Sequence, residues 1–378
     1  MPKEITVKLN ELKENMIIAR DVTSELSGEV LVEKDKVVSS GDITKLKQYQ
    51  IARREFDKIG ALSGTSESAV WVQVGPEEEE NASAGRAAAL YLSKTEQSYF
   101  PEFKKVYTET EDRLKQKLAA IGTGEKTDAA TLSQVLRPVL DTLPHKSSIF
   151  SFLNYVKQRE FYTYAHCVNV ALLCMLFGQW LNLCREDMEE LVAAGMLHDI
   201  GMTRVPQTLI TKHGKLTAEE FAEIRKHPQH SFQMIFNQPF SDEVKLAVLQ
   251  HHERIDGSGY PKGLMGGNIS LMAKIVAICD IYEAMNLERP YRDTICPFSA
   301  IKEFEQNYYG KLDTEFLMVF LKHIAYNYLD RNVRLTDGQK ARVIFINGNR
   351  LSSPIVQLED GNCTDLMFNR AVSIAAVL

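Results

Sequence analysis

The sequence lacks several things, and each absence excludes a class of protein. Its six cysteines (Cys167, Cys174, Cys184, Cys279, Cys296 and Cys363) show no CxxC spacing. A disulfide framework and a zinc knuckle are therefore not expected, and mostly buried, reduced thiols are. The longest apolar run, Val170 to Phe177, falls far short of the ~20 residues that a transmembrane helix needs. Met1 to Asn10 has no apolar signal core. These features predict a cytoplasmic chain with no membrane partner. There is no basic excess either: 44 Lys and Arg face 50 Asp and Glu, a net charge of −6. Extended binding to DNA or RNA is not expected. No internal repeat is visible. Histidine is absent from the first 144 residues.

What remains is ordinary globular composition, 44% hydrophobic and 25% charged over 378 residues. That length predicts two or three domains at roughly 100–200 residues each. Residues 1–75 read as a small mixed α/β domain. Ile5, Val7 and Leu9 alternate with polar residues as in a half-buried strand, Gly28 sits in a turn before Val30-Leu31-Val32, and Val70 to Val74 is a second strand. A short helix is expected over 43–49, with Asp42 as N-cap. Residues 76–145 read as an acidic linker and connecting helices. Gly75 to Ser83 holds four consecutive Glu among turn formers, and such a run cannot build a core. Helical patterns follow over 86–120, interrupted at Pro101 and ended at Gly122-Thr123-Gly124, with another helix over 128–141. Residues 146–335 are helix after helix. Thr217-Ala218-Glu219-Glu220 is a capping box that starts one of them, and 199–206 and 256–261 read as loops. Residues 336–378 turn β-rich, with strands at 342–346 and 354–358.

Seven of the nine histidines (His166, His198, His213, His227, His230, His251 and His252) fall between 166 and 252. His166 lies on a long helix, His198-Asp199 and His251-His252 at helix ends, His227 before Pro228, and Asp280 within an apolar helix. Imidazole and carboxylate suit borderline divalent metals such as iron, manganese and zinc. A carboxylate at Asp280, set among Ile275 to Cys279 and Ile281-Tyr282, is costly to bury without a partner; a metal ion, Arg289 or Lys274 would each serve. His213, His230, His145 and His323 have no supporting pattern and read as structural. Helical bundles build di-metal sites from facing helices, and a pair of ions suits phosphoester hydrolysis. Arg289-Pro290-Tyr291-Arg292 reads either as a phosphate-holding stretch or as a solvated loop.

His198-Asp199-Ile200-Gly201, then His227, then the run His251-His252-Glu253-Arg254-Ile255-Asp256-Gly257-Ser258-Gly259-Tyr260-Pro261 resembles the HD-GYP subgroup of the HD-domain phosphohydrolases. Cys279 to Met285 and the Arg-Pro-Tyr-Arg at 289–292 continue the likeness, which covers roughly 146–350. Leu12, Asn15-Met16 and the strand-turn-strand after them resemble a domain often found before that core. The resemblance implies a mainly α fold: a helical HD-domain bundle, preceded by the small mixed domain and followed by the β-rich C-terminal cap.

It further implies hydrolysis of cyclic di-GMP to linear pGpG, or on to GMP, by a hydroxide bridging two metal ions, iron or manganese. The implied metal ligands are His166, His198, Asp199, His227, His251, His252 and Asp280. His198 and Asp199 form the catalytic pair, and Asp199 is the bridging carboxylate. Gly259, Tyr260 and Pro261 would border the substrate cleft, and Arg289 and Arg292 would contact substrate phosphates. A mixed cyclic dinucleotide is an alternative substrate. A homodimer through the 86–120 helices, and a protein partner at the N-terminal domain or the Gly-Tyr-Pro loop, stay open.

Three positions depart from the family pattern. Tyr162 stands where trinuclear members carry Glu, so two metals are expected and not three. Glu283 stands where many members have a second Asp. Met202 stands where Lys is usual, and Met neither neutralises charge nor donates a hydrogen bond. Met202 therefore supports a second reading, a weakly catalytic module that binds a cyclic dinucleotide and signals.

Overall fold

The computed structural model describes residues 94–145, 148–153, 162–212, 214–286 and 296–378, with 5–8, 17–18, 22–23, 30–33, 36, 38–39, 46 and 69–73 before them. The expected Gly28 turn, Leu12 and Asn15-Met16, all but Leu46 of the 43–49 helix, the 75–83 linker, His213 and the 289–292 stretch lie outside the described residues. The chain divides into two compact units, Leu92–Pro144 with Ser148–Lys322, and Met1–Tyr91 with His145–Ser147 and His323–Leu378.

In the second of these, β1 (Ile5–Lys8) and β2 (Ile17–Ile18) both pair antiparallel with β5 (Ala69–Gln73). The strands β3 (Val22–Thr23) and β4 (Val30–Val32) form a separate pair. At the C-terminus β6 (Asn332–Leu335), β7 (Lys340–Phe345), β8 (Ile355–Leu358), β9 (Cys363–Asp365) and β10 (Ile374–Val377) make an antiparallel sheet in the order β10-β6-β7-β8-β9. Val333, Leu335, Ala341 and Val343 are buried at alternate positions, the period of a strand with one covered face.

The helical unit opens with α1 (Lys94–Gly122), α2 (Ala129–Ser133) and α3 (Arg137–Asp141). Two expectations are corrected here. The first helix is not interrupted at Pro101 but runs through it. Proline removes one intrahelical bond, while Phe103, Tyr107, Leu114 and Leu118, all buried on one face, hold the helix in place. The single helix expected over 128–141 is instead three short pieces, because Asp128 caps the first (Oδ1 accepts from the Thr131 amide at 2.7 Å) and Pro138 starts the last. A proline in the first helical turn gives up a bond that is unmade anyway.

Then come α4 (Ser148–Leu153), α5 (Tyr162–Trp180), α6 (Arg185–Leu197), α7 (Gln207–Ile210), α8 (Ala218–Ile224), α9 (His227–Ile235), α10 (Asp242–Gln250), α11 (Leu271–Asn286), α12 (Pro297–Asn307) and α13 (Thr314–Asn327). The loop expected at 199–206 contains a turn of 3₁₀ helix, Ile200–Arg204. Every residue from His166 to Phe177 is buried, so α5 is the central helix; one apolar all round can only sit inside. It packs against α6 and α11. The Thr217–Glu220 capping box is formed in both directions. Ser241 caps α10, its Oγ accepting from the Val244 amide at 3.2 Å. The chain is thus mainly α, with an antiparallel sheet at its C-terminal end. Among the described residues no helix is long and apolar enough to cross a membrane. None of the six cysteines is disulfide-bonded; Cys167, Cys174 and Cys279 are buried, Cys296 is half-buried, and Cys184 and Cys363 are exposed.

Candidate metal centre

Helix ends aim the site. His198 follows the last residue of α6, His251 follows the last residue of α10, and His227 opens α9. Each of these three rings places Nδ1 2.8 Å from the carbonyl three residues earlier, Gly195, Val248 and Ile224 respectively. A carbonyl only accepts, so Nδ1 carries the proton and Nε2 offers a lone pair. His166, in mid-α5, reaches the same tautomer another way: its Nδ1 lies 2.5 Å from Glu283 Oε2. A ring anchored through one nitrogen to a carbonyl or carboxylate is the usual preparation of a histidine that ligates metal through the other.

The free nitrogens converge. His166 Nε2 is 3.1 Å from His198 Nε2. His227 Nε2 is 3.3 Å from His251 Nε2 and 3.1 Å from His252 Nε2. Lone pairs facing one another at such distances repel unless a cation lies among them. Asp199 Oδ1 is buried and accepts no hydrogen bond, although His227 Nε2 lies 3.0 Å away. An unsatisfied buried oxygen beside converging imidazoles fits a divalent ion well.

Two sets of ligand atoms stand out among the described residues: Asp199, His227, His251 and His252 in one, His166, His198 and Asp199 in the other, each within 4.8 Å of one another. Asp199 belongs to both. Asp280 lies beside them, with Oδ1 3.2 Å from His166 Nε2 and Oδ2 3.8 Å from His252 Nδ1. All seven residues named as metal ligands are therefore brought together.

Electrostatics within this cluster are strong. Burial opposes charge on Asp199, but His198, His227 and His166 outweigh it and hold the carboxyl well below its usual range. Asp280 is likewise lowered, His166 overcoming burial. Burial and the neighbouring histidines push His251 and His252 well below the usual imidazole range, and burial with His166 lowers His198. Burial would lower His166 too, but Glu283, Asp280 and Asp199 raise it. The lowered rings stay neutral near pH 7, as metal ligation requires.

The Gly-Tyr-Pro loop folds back onto His251-His252-Glu253. Tyr260 stacks on His252 with ring centroids 4.6 Å apart, and the Arg225 guanidinium lies 4.4 Å from the Tyr260 ring centre. Pro261 follows through a cis peptide bond. A Cβ on Gly259 would sit 2.4 Å from Arg254 N and from Glu253 Cα, so only glycine permits this approach. Arg289 and Arg292 fall outside the described residues, as noted for 289–292. Met202 is half-buried within the 3₁₀ turn that follows Asp199.

Several supporting residues escaped the sequence reading. Glu253 is buried and accepts from the amides of Lys262 (2.7 Å) and Leu264 (2.9 Å), pinning the loop. Ser231 Oγ donates to the His198 carbonyl and accepts from the Gly201 amide, both at 2.8 Å, so it ties the His-Asp turn to α9. Its spacing of four from His227 puts the two on one helix face, a signal that could have found it. Arg225 gave no signal of its own.

The HD-domain family model matches residues 151–316. A cyclic di-GMP phosphodiesterase of Pseudomonas aeruginosa is 34% identical over 237 residues, 62% of this chain and 57% of that protein. A cyclic di-GMP phosphodiesterase of Borreliella burgdorferi is 30% identical over 206 residues, 54% of each chain. Residues 151–316 thus match an HD domain, and these relatives support an HD-GYP family member. A 3'3'-cGAMP-specific phosphodiesterase of Vibrio cholerae is 37% identical over 145 residues, 38% of this chain and 33% of that protein. The chain thus spans a third to somewhat over half the length of these relatives. The solved structure of an HDG"Y"P protein from Bdellovibrio bacteriovorus aligns over 84% of this chain and 98% of its own, at 14% identity and a TM-score of 0.48.

Proposed function

We propose that this HD-GYP protein is a metal-dependent phosphodiesterase that opens cyclic di-GMP to linear pGpG, and to GMP where both bonds are cut. The observation that carries this reading is Asp199, one carboxylate shared by two sets of metal-type ligands. His227, His251 and His252 with Asp199 would hold one ion; His166 and His198 with Asp199 would hold the other, and Asp280 lies within reach of both sets. Iron or manganese suits this mixture of imidazole and carboxylate. Such a pair of ions supplies Lewis acidity toward a phosphoryl group and a water acidified to near neutrality.

The protein's own side chains do the rest. Three rings anchored to backbone carbonyls, and His166 anchored to Glu283, keep four Nε2 atoms from turning away, so no reorganisation is needed when a charged substrate arrives. Tyr260, stacked on His252 with Arg225 over its ring, places a phenol and a cation next to the ligands. Arg289 and Arg292 are proposed to take the substrate phosphates through guanidinium forks. The names of the relatives support both cyclic di-GMP and 3'3'-cGAMP as substrate types.

Anaerobically loaded iron or manganese protein should hydrolyse cyclic di-GMP, and His198→Ala or Asp199→Ala should abolish this. Equal turnover by the variants would overturn the reading. Met202 favours a second reading, a binding module with residual turnover. Losing one electrostatic contact to the reacting phosphate costs on the order of 10²–10³ in rate, so Met202→Lys should raise a slow wild-type rate by about that factor. Fast turnover by the wild type removes the support for the second reading.

A further inference from the structure

A chain of buried side chains runs outward from His166 to a helix that lies before the region matched by the HD-domain family model, residues 151–316. The Tyr107 hydroxyl, on α1, donates to Asn169 Oδ1 at 2.7 Å. Asn169 Nδ2 donates to Glu283 Oε1 at 2.8 Å. Glu283 Oε2 receives the Nδ1 proton of His166 at 2.5 Å. Relative exposures are 1% for Tyr107, 5% for Asn169, 4% for Glu283 and 3% for His166, so water does not complete these bonds.

Each link determines the next. With its Oδ1 taken by the phenol, Asn169 can turn only its amide nitrogen to Glu283. The Glu283 carboxylate, so held, can only accept, and His166 must keep its proton on Nδ1 and present Nε2 to the cluster. Burial, with Glu111 and Glu283 nearby, pushes the Tyr107 hydroxyl well above its usual range, which keeps it a donor. The hydroxyl also lies 3.3 Å from the Ala165 carbonyl, a contact that could merely tie α1 to α5.

We propose that Tyr107 and Asn169 are positioning residues of the metal centre, acting through Glu283 to orient His166. This rests on the reading of the cluster as a metal centre. Without the Tyr107 hydroxyl, Asn169 is free to flip and face Glu283 with an oxygen, and the His166 anchor loosens. Loss of such outer contacts typically weakens metal binding 10–100-fold.

The test is Mn²⁺ affinity of the full chain, measured against a competing chelator, for wild type, Tyr107→Phe, Glu283→Gln and the double variant, with metal-free melting recorded for each. Wild type should bind Mn²⁺. Tyr107→Phe should weaken the affected ion about tenfold, and by less than about threefold in the Glu283→Gln background. Asn169→Asp, which keeps the shape but removes the donor to Glu283, should weaken it at least as much as Tyr107→Phe. Unchanged affinity in Tyr107→Phe or Asn169→Asp overturns the proposal. So does an equal loss in both backgrounds, which would make the hydroxyl a structural tie. A wild type that binds no Mn²⁺ overturns the metal-centre reading, and this inference with it.

Discussion

Gly259→Ala places a methyl group where the backbone leaves no room. Its Cβ would lie 2.4 Å from Arg254 N and Glu253 Cα and 2.5 Å from the His252 carbonyl oxygen. Non-bonded heavy atoms rest at about 3.5–4.0 Å, so each contact must lengthen by about 1 Å. All three atoms belong to the main chain, so the loop moves and not a flexible side chain. Three hydrogen bonds hold that loop: Tyr260 N to the His252 carbonyl (3.2 Å), and Lys262 N and Leu264 N to Glu253. At about 1 kcal/mol net for each bond lost, destabilisation reaches at most about 3 kcal/mol. The Tyr260 ring shifts off His252 by about the same 1 Å, a displacement that can cost about 10²-fold in rate. Metal content should not change, because the candidate ligands lie outside the loop: six precede it and Asp280 sits on α11 beyond it. The assay is initial rate on cyclic di-GMP beside metal analysis and thermal melting. Gly267→Ala is the control: it is exposed, with no atom within 4 Å of the added methyl, and should stay within about 0.5 kcal/mol of wild type. A Gly259→Ala protein with unchanged melting and a rate within about twofold of wild type would refute the reasoning.

Other outcomes follow from the same structure. Asp199→Asn should cut hydrolysis by at least about 10²-fold and reduce metal bound in both sets, since the carboxylate serves both; retention of both ions, read by elemental analysis, would contradict its shared role. Thr217→Ala removes the hydroxyl that accepts from the Glu220 amide, one direction of the capping box, and should cost about 1 kcal/mol in a denaturant titration, with the rate on cyclic di-GMP unchanged. Removing metal with a chelator should lower the melting temperature of the helical unit, because an ion held at a hundred times its dissociation constant contributes about 2.7 kcal/mol; a melting curve indifferent to chelator would count against binding to the folded state.

Part of the candidate ligand set was legible because His198-Asp199 and His251-His252 come as short strings at helix ends, where two neighbouring side chains can reach one centre; the full set, with His166, His227 and Asp280, came from the family resemblance. The supporting residues were not legible in the same way. Tyr107 and Asn169 meet across 62 positions, and no periodicity announces a single polar contact between helices. Glu253 stood inside the most specific string, yet its task is to bind the amides of Lys262 and Leu264, which only the folded loop reveals. The helix expected to break at Pro101 ran on, because packing of Phe103 and Tyr107 outweighed one lost backbone bond. The helix expected over 128–141 broke, because Asp128 and Pro138 each favour a fresh start there. Two strands of the C-terminal sheet, at 342–346 and 354–358, were legible in the sequence, while the other three and the order, with β10 beside β6, were not.

The central claim is that Asp199 joins two ion positions, and metal counting tests it most directly. Protein purified and loaded without oxygen, then measured for iron and manganese per chain, should carry two ions, and Asp199→Asn should carry fewer in parallel. Fewer than about one ion per wild-type chain would contradict the claim, because a two-metal site needs both.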